Sequence, residues 1–230
     1  MSSPPAANGH ATRLPDIGPD VADDPAWAAA ARASLAHTDA RLDKRFDQDD
    51  GMDRILALRA RAVDHLLKDA WLRCIPAEAP MALFAVGGYG RGELFPQSDV
   101  DVLVLASADT QQRHHEAVAR FFAMLWDAGL PISHSVRSAA QCTAAAAADQ
   151  TVLTALIEER LIVGEPVDEA LLIDAIGAAR VWPPRDFFVA KREELRIRHA
   201  RFGDTSDNLE PNIKDGPGGL RDLHTLGWMA

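Results

Sequence analysis

The sequence predicts an α/β (α+β) fold: a small mixed sheet flanked by helices, then a helical region that the C-terminus truncates. Three observations carry this. Two short apolar runs, 81–86 and 100–105, are bounded by proline, glycine and polar residues, as buried strands are. Helical apolar spacing precedes them over 27–46 and 53–73, and a further helix reads over 110–128. The composition, 47% hydrophobic and 25% charged over 230 residues, suits a globular chain that buries a core without metal or disulfide staples.

Taken in order, residues 1–24 are rich in Pro, Gly, Ala and Asp, lack an apolar period, and read as a disordered leader. The N-terminal helices of 25–75 follow. Trp27, Ala31, Leu35, Leu42 and Phe46 mark the first, and Ile55, Leu58, Ala62, Leu66 and Ala70 the second, with the polar turn Asp47-Gln-Asp-Asp-Gly51 between them. The core is expected over 76–137. Its first strand, 81–86, ends in Gly87-Gly88. In the second, 100–105, Val100, Val102 and Val104 point one way and Asp101, Leu103 and Leu105 the other. Both faces are apolar past the mouth, which predicts a central strand. A helix over 110–128 is stopped by Gly129, and 131–137 makes a third strand. The remainder, 138–230, reads as helical over 138–148, 150–163, 168–180 and 186–201, with a break at Trp182-Pro-Pro184.

Charge and cysteine content exclude several roles. The net charge is −10, from 34 acids and 24 bases, so no nucleic-acid partner is expected, since such binding needs a basic face. The bases that could attract an anion gather late, at Arg185, Lys191, Arg192, Arg196, Arg198 and Arg201. Cys74 and Cys142 are far apart and form no CxxC pair, which argues against a disulfide framework or a zinc knuckle. No secretory signal and no apolar run of membrane-spanning length occurs, so no membrane role and a cytoplasmic location are expected.

The chemistry concentrates in Val86-Gly-Gly-Tyr-Gly-Arg-Gly-Glu-Leu-Phe-Pro-Gln-Ser-Asp-Val-Asp-Val-Leu-Val-Leu105. A strand delivers the chain to Gly87 and Gly88, whose missing Cβ atoms let backbone amides approach a phosphate. Ser98 then introduces a strand with carboxylates at Asp99 and Asp101, on one face and roughly 6.5–7 Å apart. Two carboxylates so placed repel, and a divalent cation removes the conflict. Oxygen ligands of this kind suit Mg²⁺ holding nucleotide phosphates, and two ions about 3.5–4 Å apart can activate an attacking oxygen and steady pyrophosphate. The implied chemistry is nucleotidyl transfer. A Walker loop would need Gly-Lys-Ser/Thr, and a Rossmann loop a third glycine where Glu93 stands.

Gly-Gly followed by Ser-Asp-x-Asp resembles the polymerase-β-type nucleotidyltransferase superfamily. The fuller string Gly87-Gly-Tyr-Gly-Arg-Gly-Glu-Leu94, with Pro96, Ser98, Asp99 and Asp101, is similar to one branch, the PII uridylyltransferase/uridylyl-removing enzymes. His134-Ser-Val-Arg137, Arg198-His-Ala-Arg201 and Asn208-Leu-Glu-Pro-Asn-Ile-Lys-Asp-Gly-Pro-Gly-Gly-Leu-Arg-Asp222 extend the likeness over about residues 30–230. The resemblance implies transfer of UMP from UTP to a tyrosine of the nitrogen-regulatory PII protein. It implies that Gly87 and Gly88 hold the triphosphate with Ser98 assisting, that Asp99 and Asp101 bind Mg²⁺, and that Arg91, Lys214 and Arg221 neutralise phosphate charge.

Two departures from the resemblance matter. The superfamily's third carboxylate, often its general base, is missing from 131–137, so no base is named: His134 and the metal alone are the candidates, and His134 reads first as a satisfied strand histidine. The branch also continues into an HD hydrolase domain and two ACT domains. This chain has no His-Asp dipeptide, so uridylyl removal and a glutamine response are not expected of it. The alternatives are a nucleotidyltransferase using another nucleotide or acceptor, and an inactive module that binds nucleotide or PII. Asp47–Gly51 as a calcium loop and His114-His115 as zinc ligands are outweighed by turn and surface readings. The basic helix could be a solvated face or a nucleotide contact, and Gly216–Gly219 an anion nest or a helix-joining turn.

Overall fold

The computed structural model describes residues 23–178, 180–203, 205, 210 and 212–229. Residues 1–22 of the expected leader lie outside them, as do Asn208, Leu209 and Pro211 of the late motif. The first helix, α1 (Asp24–Phe46), is capped by Asp23, whose carboxylate accepts from the Ala26 amide at 2.8 Å. Pro25 occupies the first turn, where its missing N–H costs nothing. The turn 47–51 leads into α2 (Met52–Cys74), and the two helices share a buried cluster of Trp27, Ala28, Ala31, Val63, Leu67 and Ala70. Within that turn Asp50 pairs with Arg45 at 2.7 Å, so its carboxylate serves the helix junction.

Four strands form the sheet: β1 (Met81–Ala85), β2 (Val100–Ala106), β3 (Ile132–Arg137) and β4 (Arg160–Val163), in the order β3-β2-β1-β4. β1 runs antiparallel to β2 and β4, while β2 and β3 are parallel, so the sheet is mixed as expected. The β1–β2 connection contains one short helical turn, α3 (Gly87–Gly90). A parallel pair needs a crossover, which α4 (Ala108–Arg113) and α5 (His115–Asp127) supply. Val100, Val102 and Val104 enter one core with Trp71, Phe121 and Leu125. Leu103 and Leu105 enter a second, with Cys142, Leu153 and Leu172 from α6 (Ala139–Ala148), α7 (Gln150–Ile157) and α8 (Pro166–Ile176). β2 is therefore buried on both faces, as its apolar pattern predicts. Both cysteines are buried and free. An ion pair of 2.7 Å between Asp24 and Arg120 ties the start of α1 to α5.

Two expectations are corrected. The single helix over 110–128 is two, broken at His114 (φ −112°, ψ 19°). The apolar stripe that holds α5 to the sheet begins only at Val118, whereas α4 depends on its Ser107 cap and on the Gln111 amide bonded to the Ala106 carbonyl at 2.8 Å. The helix over 150–163 ends at Ile157, and 160–163 becomes the edge strand β4. Periodicity alone does not separate a short apolar run in a helix from one in a strand. The open edge of β1 decides the matter by offering backbone partners to Arg160, Leu161 and Val163.

The late helices are α9 (Pro184–Ala200) and α10 (Leu220–Met229). Arg198, buried on α9, donates to the Asp215 carbonyl at 2.8 Å and to Asp222 Oδ1 at 2.7 Å. Asp222 Oδ2 accepts the Gly218 amide at 2.7 Å, so the glycine-rich segment is a helix-joining turn rather than an anion nest. No helix among the described residues is long and apolar enough to cross a membrane.

α3 packs against the end of α7 at a distance only glycine permits. A Cβ built on Gly90 would lie 1.7 Å from the Glu158 carbonyl oxygen, part of a backbone that cannot step aside. Gly90→Ala is expected to lower unfolding stability by about 1–3 kcal/mol or more. Urea denaturation measures this, and a midpoint matching the parent chain would contradict the close approach.

Candidate functional site

The site is built where β1 hands the chain to α3 and β2 receives it back. Val86 N–H donates to the Asp101 carbonyl at 3.0 Å, the rung that sets Gly87 beside Asp101. Gly87 has φ +58°, a left-handed conformation that favours glycine, and a Cβ there would sit 3.6 Å from Asp101 Oδ2. At Gly88 a Cβ would make only ordinary contact, 3.5 Å from the Glu93 carbonyl oxygen and 3.6 Å from Arg91 Nη2, so packing there does not itself require glycine. Gly87, Gly88, Arg91, Ser98, Asp99 and Asp101 all line one cleft of about 820 Å³. The structure thus brings together every residue singled out from the motif.

Asp101 is half-buried. Burial pushes its carboxyl up, a hydrogen bond with Ser133 opposes this, and the neighbouring Asp99 charge raises it further while Lys214 lowers it. Ser133 is the β3 residue directly paired with Asp101 in the parallel register, so a hydroxyl stands on the strand that was expected to lack the superfamily's third carboxylate. His134 is paired instead with Val102 and turns to the opposite face, stacked on Phe122 at 3.9 Å between centroids and near Trp126 at 5.4 Å. Strand alternation thus gives His134 the packed strand position that its sequence reading favoured over a role as base. No group of three His, Cys, Asp or Glu side chains placed to hold a metal is found among the described residues, and this includes the surroundings of His114 and His115.

The far wall of the cleft comes from α9, α10 and the turn between them: Lys191, Asn212, Lys214, Arg221, His224 and Trp228. Lys191 is the residue the sequence left undecided within its basic helix. Its side chain is 4% exposed, its ammonium lies 3.5 Å from Glu194 and 4.8 Å from the Trp228 ring centroid, and burial pushes its pKa down. Helical position alone could not say that this cation, rather than Arg192 or Arg196, faces the site.

Arg91 is committed elsewhere. Its guanidinium pairs with Glu158 at 2.5 Å and with Glu93 at 2.8 Å, while Glu158 also accepts the Trp228 indole N–H at 2.6 Å. This set joins the glycine turn to α10. Behind the turn, Tyr89 is buried and donates its hydroxyl to Asp64 at 2.6 Å. Burial, reinforced by the Asp64 charge, pushes the Tyr89 phenol well up, so it stays a neutral donor. Asp64 and Arg160, which complete this contact, carry no motif signal. They lie 25 residues before the turn and 70 after it, so only folding brings them there.

Comparisons with known proteins agree with this geometry. Residues 68–163 match the nucleotidyltransferase domain family, and residues 186–230 match the family described as GlnD PII-uridylyltransferase. A protein of Xanthomonas axonopodis pv. citri, named bifunctional uridylyltransferase/uridylyl-removing enzyme, is 68% identical over 212 residues, covering 92% of this chain and 24% of its own. Proteins of the same name are 66% identical over 212 residues in Xanthomonas oryzae pv. oryzae and 45% identical over 204 residues in Pseudomonas entomophila. They cover 92% and 88% of this chain and 24% and 23% of their own, respectively. The chain spans about a quarter of the length of these relatives. Its glycine turn and carboxylate pair lie in a nucleotidyltransferase domain and its facing wall matches the GlnD PII-uridylyltransferase model, so the chain is a nucleotidyltransferase similar to the bifunctional uridylyltransferase/uridylyl-removing enzymes.

Proposed function

We propose that this chain transfers UMP from UTP to a tyrosine hydroxyl of the PII signalling protein in a Mg²⁺-dependent reaction. The observation that carries the reading is the opposition, across one cleft, of the Asp99–Asp101 pair and the cations Lys191, Lys214 and Arg221. A nucleoside triphosphate–metal complex has the matching polarity, positive at the metal and negative along the phosphates.

Asp99 and Asp101 fit a hard divalent cation, because both offer carboxylate oxygens and the burial and mutual repulsion that push Asp101 up are relieved by bound positive charge. Bound Mg²⁺ supplies charge stabilisation at the phosphate oxygens. The chain's own groups do the rest. The backbone of Gly87 and Gly88 lies along the triphosphate, the Ser98 hydroxyl donates to it, and Lys191, Lys214 and Arg221 balance its charge. Lys191 loses little on meeting phosphate, since it has already been stripped of water. Arg91 contributes through the turn it stiffens, with its charge shared between Glu93 and Glu158.

In the transfer the acceptor oxygen bonds to the α-phosphorus, the bond to the bridging oxygen breaks, and pyrophosphate leaves with the electron pair. The acceptor also loses its proton. A phenol ionises near pH about 10, far more readily than an aliphatic alcohol, so a phenolic acceptor suits a site with Ser133 beside Asp101. This is the chemical support for tyrosine as the acceptor.

Asp99→Asn and Asp101→Asn are each expected to cut UMP transfer by at least about a hundredfold. Incubation with labelled UTP, Mg²⁺ and PII trimer measures this, and full activity in either variant would remove the metal assignment. Lys191→Met is expected to raise the KM for UTP by about 10- to 100-fold, the worth of a charged hydrogen bond. An unchanged KM in a folded variant would take Lys191 out of the site.

A further inference from the structure

Tyr89, Asp64 and Arg160 form a closed set of contacts behind the glycine turn that the proposed chemistry does not use. Arg160 Nη1 and Nη2 donate to the two Asp64 oxygens at 2.9 and 3.0 Å, and Asp64 Oδ1 also accepts the Tyr89 hydroxyl. The same guanidinium reaches the turn itself. Its Nε donates to the Gly90 carbonyl at 3.2 Å, its Nη2 to the Tyr89 carbonyl at 3.3 Å, and its carbon lies 5.3 Å from the Tyr89 ring centroid. One cation therefore grips the last two carbonyls of α3, and one carboxylate holds both that cation and the ring.

We propose that Asp64, Tyr89 and Arg160 are positioning residues for the nucleotide: they fix the glycine turn so that Gly87 and Gly88 meet the triphosphate beside Asp101. The inference rests on the reading of the cleft as a nucleotide site. In a single helical turn the peptide planes are locked in series, because Gly90 N–H is bonded to the Val86 carbonyl at 3.1 Å and Arg91 N–H to the Gly87 carbonyl at 3.1 Å. Holding the carbonyls of Tyr89 and Gly90 from behind therefore fixes the direction of the leading amides in front. Four residues rich in glycine have little rigidity of their own, since glycine gives up the most backbone freedom on ordering. A buried phenylalanine would fill the same space without having to satisfy a hydroxyl. The polar network adds direction, which packing alone does not give.

The charges are also arranged for this task. Arg160 neutralises Asp64, so the anionic nucleotide meets no uncompensated carboxylate behind the turn. The buttress draws on α2 and on β4, so both the N-terminal helices and the edge strand bear on the nucleotide loop.

Tyr89→Phe, which removes one oxygen, decides the matter together with Arg160→Lys and Arg160→Met. Affinity for UTP and for ATP is measured by calorimetry in the presence of Mg²⁺, alongside melting temperature and the KM values for nucleotide and PII. Tyr89→Phe is expected to melt close to the parent chain yet bind the preferred nucleotide about five- to tenfold more weakly, with the KM for PII unchanged. Arg160→Met is expected to be weaker still, and Arg160→Lys to restore part of the loss. Tyr89 is the single tyrosine of the chain, so ¹⁵N-tyrosine labelling gives one resonance that reports the turn. It should be one sharp signal in the parent and broadened or doubled in Arg160→Met. A Tyr89→Phe chain with undiminished affinity overturns the proposal, as does a lowered melting temperature with unchanged affinity in every variant that folds. A parent chain that prefers ATP overturns the uridylyl reading alone, and the buttress is then judged on ATP.

Discussion

The hydrogen bond from Val86 N–H to the Asp101 carbonyl holds the last rung of an antiparallel ladder, and the site depends on that rung. A slip of one residue between β1 and β2 would turn Asp101 into the face now held by Val102 and put a valine at the cleft in its place. The apolar faces forbid this. Val100, Val102 and Val104 are buried on one side and Leu103 and Leu105 on the other, so the register that satisfies both cores is the one that sets a carboxylate beside Gly87. The chemistry is placed by hydrophobic burial rather than by polar contacts within the site.

The facing wall is organised differently. The chain is acidic overall, with net charge −10, yet Lys191, Lys214 and Arg221 converge on one cleft. Arg198 and Asp222 make this possible. Their bond at 2.7 Å, with the Asp215 carbonyl and the Gly218 amide drawn into the same set, ties α9 to the turn that precedes α10. Lys214 and Arg221 are carried on that tied segment. A flexible linker of the same composition would let both cations drift into solvent, where their attraction to phosphate is screened.

Much of this could be read in the sequence, for a definable reason. Gly87, Gly88, Ser98, Asp99 and Asp101 lie within one strand–turn–strand unit, where spacing and alternation fix geometry locally. The double burial of β2 was equally visible in its valines and leucines. What escaped depends on pairing between distant segments. Ser133 meets Asp101 only because β3 runs parallel to β2 in one register, and the same register turns His134 away. β4 pairs with the free edge of β1, which its short apolar run alone does not announce. The break at His114 falls in a polar stretch, ahead of the apolar stripe that begins at Val118. The roles of Asp64, Arg160 and Lys191 were illegible for the same reason: a charged residue declares its partner only once the chain has closed around it.

The solitary tyrosine has one more consequence. A catalytic cleft meets side chains of its own polypeptide at high effective concentration, commonly about millimolar when a flexible segment tethers them. A chemistry aimed at phenols would label such a neighbour before any diffusing substrate arrived, and would then carry its own product as an obstruction. In this chain of 230 residues the one phenol, Tyr89, is 1% exposed and its hydroxyl is engaged as a donor to the Asp64 carboxylate. Under the proposed reaction, the side chain that braces the loop is therefore withheld by its own burial from serving as an acceptor.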